Sequence, residues 1–416
     1  MTAFGSIEAV CWASLAVVAF AYVGYPALVF ALSRVFGRKP ARPVVSDAEL
    51  PAVSLLVAAY NEEVDIEARV LNALSLDYPR GKLEVVIATD GCTDGTAGIV
   101  RRYAPYGVRL VEYAQNAGKA TVLNRTVPQL TGEVVVLSDA NTHMAPDAVR
   151  RLAEWFVDPA VGVACGRLVL TDPRTGLNVD GVYWKYETFL KKCESRLGAL
   201  LGANGAIYAV RRELFPPVRP GTMIDDFVIP LAAKRQSGCR IVYDAQAVAV
   251  EETAPTIGAE FGRRVRIGTG GFQSIGMLWS LLSPRHGWVA VTFLCHKILR
   301  WVCPFFLVTA LASNAVLAAE PGYAVLFAAQ LGFYALAVAG HFLPAGPRWL
   351  RYLRLPTLFA TMNAALLLGF VRWLTRPQNG TWRRTARTAP APAPAPVPNF
   401  TSAAGDGRRE PIGSGS

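Results

Sequence analysis

The sequence predicts an α/β chain, a Rossmann-like and mostly parallel sheet flanked by transmembrane helices. Three observations carry that expectation. Short apolar runs alternate with helical stretches from Ala52 to about Tyr243, as strands do when they feed crossover helices. One run, Val134-Val135-Val136-Leu137, holds no charge and leads into Ser138-Asp139-Ala140-Asn141, as a strand buried on both faces does at a ligand-binding edge. Uncharged stretches long enough to span hydrocarbon lie on either side of this region.

Composition narrows the class. The 416 residues are 52% hydrophobic with a formal charge of +11, and the mean hydropathy is +0.29. An apolar chain with positive flanks argues for an integral membrane protein. No basic stripe interleaved with aromatics runs through the central region, so no nucleic-acid partner is expected. Seven scattered cysteines without CxxC spacing, and four histidines, argue against a zinc site or a disulfide framework.

The first element, within residues 1–37, is a membrane helix over Ala9 to Leu32, followed by Arg34, Arg38, Lys39 and Arg42. The basic residues come after the apolar run, the reverse of a signal peptide, which puts the following chain in the cytoplasm. Residues 38–50, with three prolines, read as a linker. In the domain at 51–256 the strand candidates are Val53–Ala59, Leu83–Thr89, Val108–Tyr113, Glu133–Leu137 and Val161–Leu170. Helices are expected near Glu63–Leu76, Gly95–Tyr103, Lys119–Leu130, Asp147–Trp155, Val179–Ser195 and Asp225–Gln236, with a Gly-rich turn at Leu201–Ala206. Residues 257–301 are basic and tryptophan-bearing, which suits a membrane surface. Residues 302–374 hold three further uncharged stretches, Val302–Ala319, Pro321–Pro347 and Leu355–Val371. Three crossings would leave the tail outside, whereas its arginines favour the inside. One stretch would then be re-entrant or interfacial. Residues 375–416 are basic, then Ala/Pro-rich, and read as a disordered tail.

Chemistry concentrates where strands end. Asp139 and Asn141 offer neighbouring oxygen donors to a hard cation, or else Asp139 starts a turn and caps the helix after Pro146. Asp94 reads first as a helix cap, while Asp90 has no capping duty and is open to a base or ribose donor. Lys119 opens a helix whose N-terminus suits a phosphate. Asp225 and Asp226 are adjacent acids before a helix. Their repulsion favours a shared proton and a base near neutral pH, with capping by Asp225 as the plainer reading.

These motifs, in this order, resemble the membrane-bound family 2 glycosyltransferases of the cellulose, hyaluronan and poly-N-acetylglucosamine synthase type. The resemblance rests on AAYNEE (Ala58–Glu63), TDGCTDGT (Thr89–Thr96), NAGKATVLN (Asn116–Asn124), SDAN (Ser138–Asn141), GANGA (Gly202–Ala206), DDF (Asp225–Phe227) and RRVRI (Arg263–Ile267). It implies a GT-A fold, a UDP-sugar donor, and Mg2+ or Mn2+. Nucleotide-sugar contacts would come from Ala58, Tyr60, Glu62, Asp90, Lys119, Asp139, Gly205 and Arg263. The metal would sit at Asp139 and Asn141. Asp226 would be the base, beside Asp225, and Arg266 would face the leaving diphosphate. Two positions depart from the family pattern: Asn141 replaces an acid, and RRVRI lacks the Gln and Trp of QxxRW. The missing Trp would stack on acceptor sugar in chain-extending enzymes, a role open to Trp184 or Tyr186.

The resulting expectation is a multi-pass inner-membrane enzyme, inverting, with its catalytic domain in the cytoplasm and membrane lipid around its helices. It would move a sugar to a growing polysaccharide or lipid-linked acceptor. Alternatives are a single-addition transferase acting on polyprenyl-phosphate or a lipid-linked oligosaccharide, and a nucleotide-sensing transporter or receptor. The last is disfavoured because the apolar stretches carry almost no ionisable group, His341 excepted.

Overall fold

The computed structural model describes residues 3–171, 182–253, 257–342 and 354–376. The Ala/Pro-rich tail and the arginines between the last two apolar stretches, Arg348 and Arg351, lie outside the described residues.

The chain begins as one long rod. Helix α1 (Ala3–Ala19) passes through a π turn at Phe20–Gly24 into α2 (Tyr25–Val35). Strand β1 (Val53–Ala59) opens the sheet, followed by α3 (Ile66–Leu74), β2 (Leu83–Asp90), α4 (Thr96–Arg101), β3 (Val108–Tyr113), α5 (Lys119–Thr126) and β4 (Val134–Asp139). The strands lie within a residue or two of the expected ones, whereas α3 starts three residues later than expected and α5 ends four residues earlier.

The four strands pair in parallel in the order β3-β2-β1-β4, with Ala58 opposite both Ala88 and Asp139. Their carboxyl ends therefore finish level, and the loops after them share one edge. Residues Val134 to Leu137 are fully buried, and they alternate between the two faces of the sheet. Val135 and Leu137 pack with Leu56 and Val86, while Val134 and Val136 pack with Leu55 and Val57.

The second half is less regular. Strand β5 (His143–Met144) precedes α6 (Ala148–Ala153), β6 (Val161–Thr171), α7 (Val182–Arg196), β7 (Tyr208–Arg211), α8 (Asp225–Ser237) and β8 (Arg240–Glu252). The eight-stranded sheet continues β4-β7-β6-β8-β5, and β7 runs antiparallel between β4 and β6. Strand β8, unexpected from the sequence, runs parallel to β6 for most of its 13 residues. Its polar middle, Asp244–Gln246, falls where the register jumps from Cys165–Tyr243 to Arg167–Val248. That interruption hides the strand from a search for uninterrupted apolar runs.

Helix α9 (Ile257–Leu278) carries RRVRI. A second rod then runs through α10 (Trp288–Thr292), a π turn at Phe293–Ile298 and α11 (Leu299–Leu317). Helices α12 (Pro321–Phe342) and α13 (Leu355–Thr375) follow. Among the described residues four helical segments are long and apolar enough to cross a membrane: Phe4–Val35, Trp288–Leu317, Pro321–Phe342 and Leu355–Thr375.

The helix expected to begin at Val302 instead begins at Trp288, and two of its basic residues, His296 and Arg300, are buried within the protein. Arg300 bonds Glu187 at 2.6 Å, and His296 Nδ1 lies 2.6 Å from Glu194, which also accepts from the Tyr25 hydroxyl at 2.7 Å. Charges paired across α2, α7 and α11 are buried without being bare. They dock the sheet domain onto the apolar helices. Both π turns flank this cluster, and such turns recur where a helix must re-aim side chains. Helices α9 and α13 cross closely: a Cβ on Gly369 would come within 2.8 Å of the Thr269 nitrogen.

Candidate active site

The site is built on the level strand ends. Asp90, the last residue of β2, is fully buried, and its two oxygens accept from the Ala117 and Gly118 nitrogens at 2.9 and 2.7 Å. Asp90 caps no helix, as expected, but it fixes the loop ahead of α5. Gly118 follows with φ +86°, a conformation that suits glycine and turns the chain into the helix.

Lys119, the first residue of α5, then swings back over β4. Its ammonium lies 2.7 Å from Asp139 and 3.4 Å from Asp225. Burial disfavours that charge, but Asp139 and Asp225 outweigh it and hold Lys119 above the usual lysine range. Asp139 keeps 36% of its side chain exposed at the strand edge. It does not cap a helix; its carbonyl closes a turn by accepting from Thr142.

Asp225 and Asp226 open α8 behind Ile224, so the cap position is Ile224 and neither acid is the cap. Asp225 is 7% exposed beside Lys119. Asp226 is wrapped by the Gly-rich turn. The Gly205 nitrogen donates to Asp226 Oδ2 at 3.0 Å, and the Ala203 nitrogen to its carbonyl at 2.8 Å. Gly202 sits at φ +73° with space for no more than hydrogen against Phe227. Burial, then the neighbouring Asp225, pushes the Asp226 carboxyl up to about 6, with Lys119 partly opposing. A carboxylate poised there takes a proton efficiently near neutral pH.

The remaining expected residues fall into two groups. Ala58 is buried opposite Asp139, and Tyr60, Glu62 and Asn141 lie partly exposed along the same edge. The Glu62 nitrogen donates to Thr96, and Asp94 accepts from the Thr96 and Glu63 nitrogens, so Asp94 has a local structural role. Asn61 sits between them at φ +53°, which asparagine tolerates. The arginines of α9 stand apart. Arg263 and Arg264 pair with Glu260, and Arg266 is exposed. No described contact joins Arg263 or Arg266 to Asp139, Asp225 or Asp226. Tyr186 is committed to the helix junction, donating to the Tyr22 carbonyl beneath Arg300, whereas Trp184 lines a cleft.

The donor set at Asp139 suits one kind of metal. Among the described residues no three His, Cys, Asp or Glu side chains converge to hold an ion by themselves. A partly exposed Asp139 carboxylate, two residues before a partly exposed Asn141, fits a hard cation that takes its other ligands from phosphate and water.

Three residues here, Lys191, Tyr208 and Arg69, escaped the sequence reading. Lys191 of α7 bonds Asn204 Oδ1, and Asn204 donates to the Gly166 carbonyl at 2.7 Å, which pins the turn that holds Asp226. The Tyr208 hydroxyl is buried without a hydrogen-bond partner, and burial and then Asp225 and Asp226 hold it protonated. Arg69 is wholly buried on α3, bonded to Asn72, which clamps the Met144 backbone just after the Asp139 turn. None carries a sequence signal, since each depends on contacts between distant elements.

Comparison with known proteins agrees with this architecture. Residues 54–215 match the model of glycosyl transferase family 2. An N-acetylglucosaminyltransferase of Sinorhizobium fredii is 25% identical over 369 residues, 84% of this chain and 87% of the relative. A poly-beta-1,6-N-acetyl-D-glucosamine synthase of Staphylococcus aureus is 27% identical over 244 residues, 56% of this chain and 57% of that relative's length. A mannosyltransferase from Pyrobaculum calidifontis, solved in complex with GDP-Man and Mn2+, superimposes with a TM-score of 0.68 at 27% identity. That likeness covers 89% of this chain and 99% of the other, and gives the chain a GT-A fold.

Proposed function

We propose that this family 2 glycosyltransferase is a membrane-bound inverting enzyme that moves N-acetylglucosamine or a related hexose from a UDP-sugar onto an acceptor hydroxyl. The observation that carries the reading is the Asp226 carboxylate, held by the Gly205 nitrogen and raised to about 6, beside the Lys119–Asp139–Asp225 cluster. The names of two relatives favour N-acetylglucosamine.

Inversion needs one displacement and one base. Asp226 takes the proton of the acceptor hydroxyl as its oxygen bonds the anomeric carbon. The bond from that carbon to the diphosphate breaks, and its electron pair leaves with the nucleotide. Lys119 puts a fixed positive charge beside the place where that negative charge grows. Asp139 and Asn141 would hold Mg2+ or Mn2+, which when bound supplies further charge neutralisation at the diphosphate. Asp90 and the loop it fixes would border the nucleoside. Arg266 is assigned to the diphosphate by the family resemblance alone. The four apolar segments and the basic residues after the first favour an inner-membrane setting with the sheet domain in the cytoplasm.

The test is nucleotide release by the purified full chain, with Mg2+ or Mn2+. UDP-glucose, UDP-N-acetylglucosamine, UDP-galactose, UDP-glucuronate and GDP-mannose would be compared. Release from one UDP-sugar, lost in Asp226→Asn, is expected. Tight nucleotide binding without release from any donor would favour a nucleotide sensor instead.

A further inference from the structure

A groove runs along α7, away from the base. Its narrow inner end is lined by Trp184, Thr188, Lys191 and Asn204, and Asn204 precedes the glycine that holds Asp226. Trp184 and Thr188 also line a wider cleft of about 280 Å³, which continues outward between Arg167, Lys185, Phe189 and Lys192. At its outer end Phe189 packs against Phe30 of α2 at 5.7 Å, and Arg34 sits over the other ring. The groove therefore connects the base to the place where the first apolar rod reaches its basic end.

Its lining is chemically lopsided. Three cations and two aromatic rings surround the outer cleft, with no acid among its lining residues. The one acid at the inner end, Glu187, is paired with Arg300. A neutral saccharide would use the rings and make no use of the Lys185 and Lys192 charges. An anion held among them would make charge-assisted contacts. Polybasic surface beside a membrane helix also attracts anionic headgroups.

Resting on the proposed transferase reading, we infer that the α7 groove binds the acceptor, and that this acceptor is a sugar carried on a lipid phosphate or diphosphate. The sugar stacks on Trp184 with its hydroxyl toward Asp226, and the phosphate lies among Arg167, Lys185 and Lys192. A base at the inner end implies that a hydroxyl is the nucleophile. A phosphate oxygen is already ionised at neutral pH and would need no base. A bare polyprenyl phosphate is therefore the poorer acceptor, and a phosphate-linked saccharide the better one. Trp184 supplies from α7 the ring that RRVRI lacks.

The test compares three acceptors of the same sugar with the full chain in phosphatidylcholine nanodiscs. They are prenyl-diphosphate-linked N-acetylglucosamine, octyl β-N-acetylglucosaminide and N-acetylglucosamine 1-phosphate. The native chain should show a KM for the lipid diphosphate at least about tenfold below that of the octyl glycoside, the worth of one charge-assisted contact. The double variant Lys185→Gln/Lys192→Gln should erase that ratio through KM, and Trp184→Ala should weaken both glycolipids. The exposed Arg102→Gln on α4 should leave the ratio as it is. Equal KM values for lipid diphosphate and octyl glycoside in the native chain would overturn the inference. An equally low KM for the soluble sugar phosphate would overturn the lipid anchor and leave anion recognition standing. If no donor turns over, the transferase reading fails. Direct binding of the prenyl-diphosphate sugar to the nanodiscs, weakened by the double variant, would then still decide the groove.

Discussion

Replacing Asp226 by asparagine separates catalysis from stability in a way that few substitutions can. Asparagine keeps the shape and an oxygen for the Gly205 nitrogen, so the Gly-rich turn stays in place. It removes the base, which costs about 10²–10⁴-fold in transfer rate. It also removes one of two adjacent carboxylates. A carboxyl raised from 3.8 to about 6 carries at most about 3 kcal/mol of penalty in its ionised form. The sign follows from proton binding. Well below pH 3.8 the group is protonated whether folded or unfolded, and nothing is lost. Between 3.8 and about 6 the unfolded chain has released a proton that the folded protein still holds, so stability falls across that window and is level above it. Asp226→Asn lacks that fall, so it should be more stable than the native chain at pH 7.5 and nearly equal to it at pH 4. Thermal denaturation in detergent at both pH values, with nucleotide release at pH 7.5, measures the two effects. A gain of about 5 °C at pH 7.5 is expected. Undiminished release, or a variant less stable than the native chain at pH 7.5, would refute the reasoning.

Other perturbations follow from the same geometry. Transfer by the native chain should fall tenfold per pH unit below about 6, as Asp226 gains its proton, and a profile flat to pH 4.5 would exclude it as the base. Lys119→Met removes the cation shared by Asp139 and Asp225; it should destabilise the fold by about 3–5 kcal/mol in a denaturation series and move the acid limb of activity to higher pH. Gly202→Ala places a Cβ 2.9 Å from Phe227 at φ +73°, which should cost about 1–3 kcal/mol and lower the midpoint of thermal denaturation. Arg300→Met removes the nearest cation from buried Glu187, leaving His296 at 3.5 Å and Lys297 at 4.0 Å, and should cost about 1.5–3 kcal/mol, read as a lower midpoint that the added change Glu187→Gln partly restores.

The first half of the sheet was legible because its signals are local. Val134 to Leu137 is apolar on both faces and ends at Asp139, and each helix between β1 and β4 starts where a polar turn ends. Strand β8 was not, because Asp244–Gln246 break its pattern at a register jump. The acids of the site were legible as motifs, but their partners were not. Nothing near Lys119 in sequence says that its ammonium will bridge Asp139 and Asp225. The basic stretch before Val302 misled for a similar reason. His296 and Arg300 look like surface residues until Glu187 and Glu194, more than a hundred positions earlier, close over them.

Phe227, the residue after Asp226, stacks edge-on against Trp301 at 5.7 Å and lies 6.1 Å from Phe293. Both rings belong to the rod of α10 and α11, one of the four segments able to cross a bilayer. The helix that carries Asp226 thus rests on a strut apolar enough to enter a bilayer. A trimmed fragment ending before Trp288 would leave the Phe227 ring without its bedding. Were that strut seated in a bilayer, thickness and tension would tilt it and be felt one residue from the proposed proton acceptor.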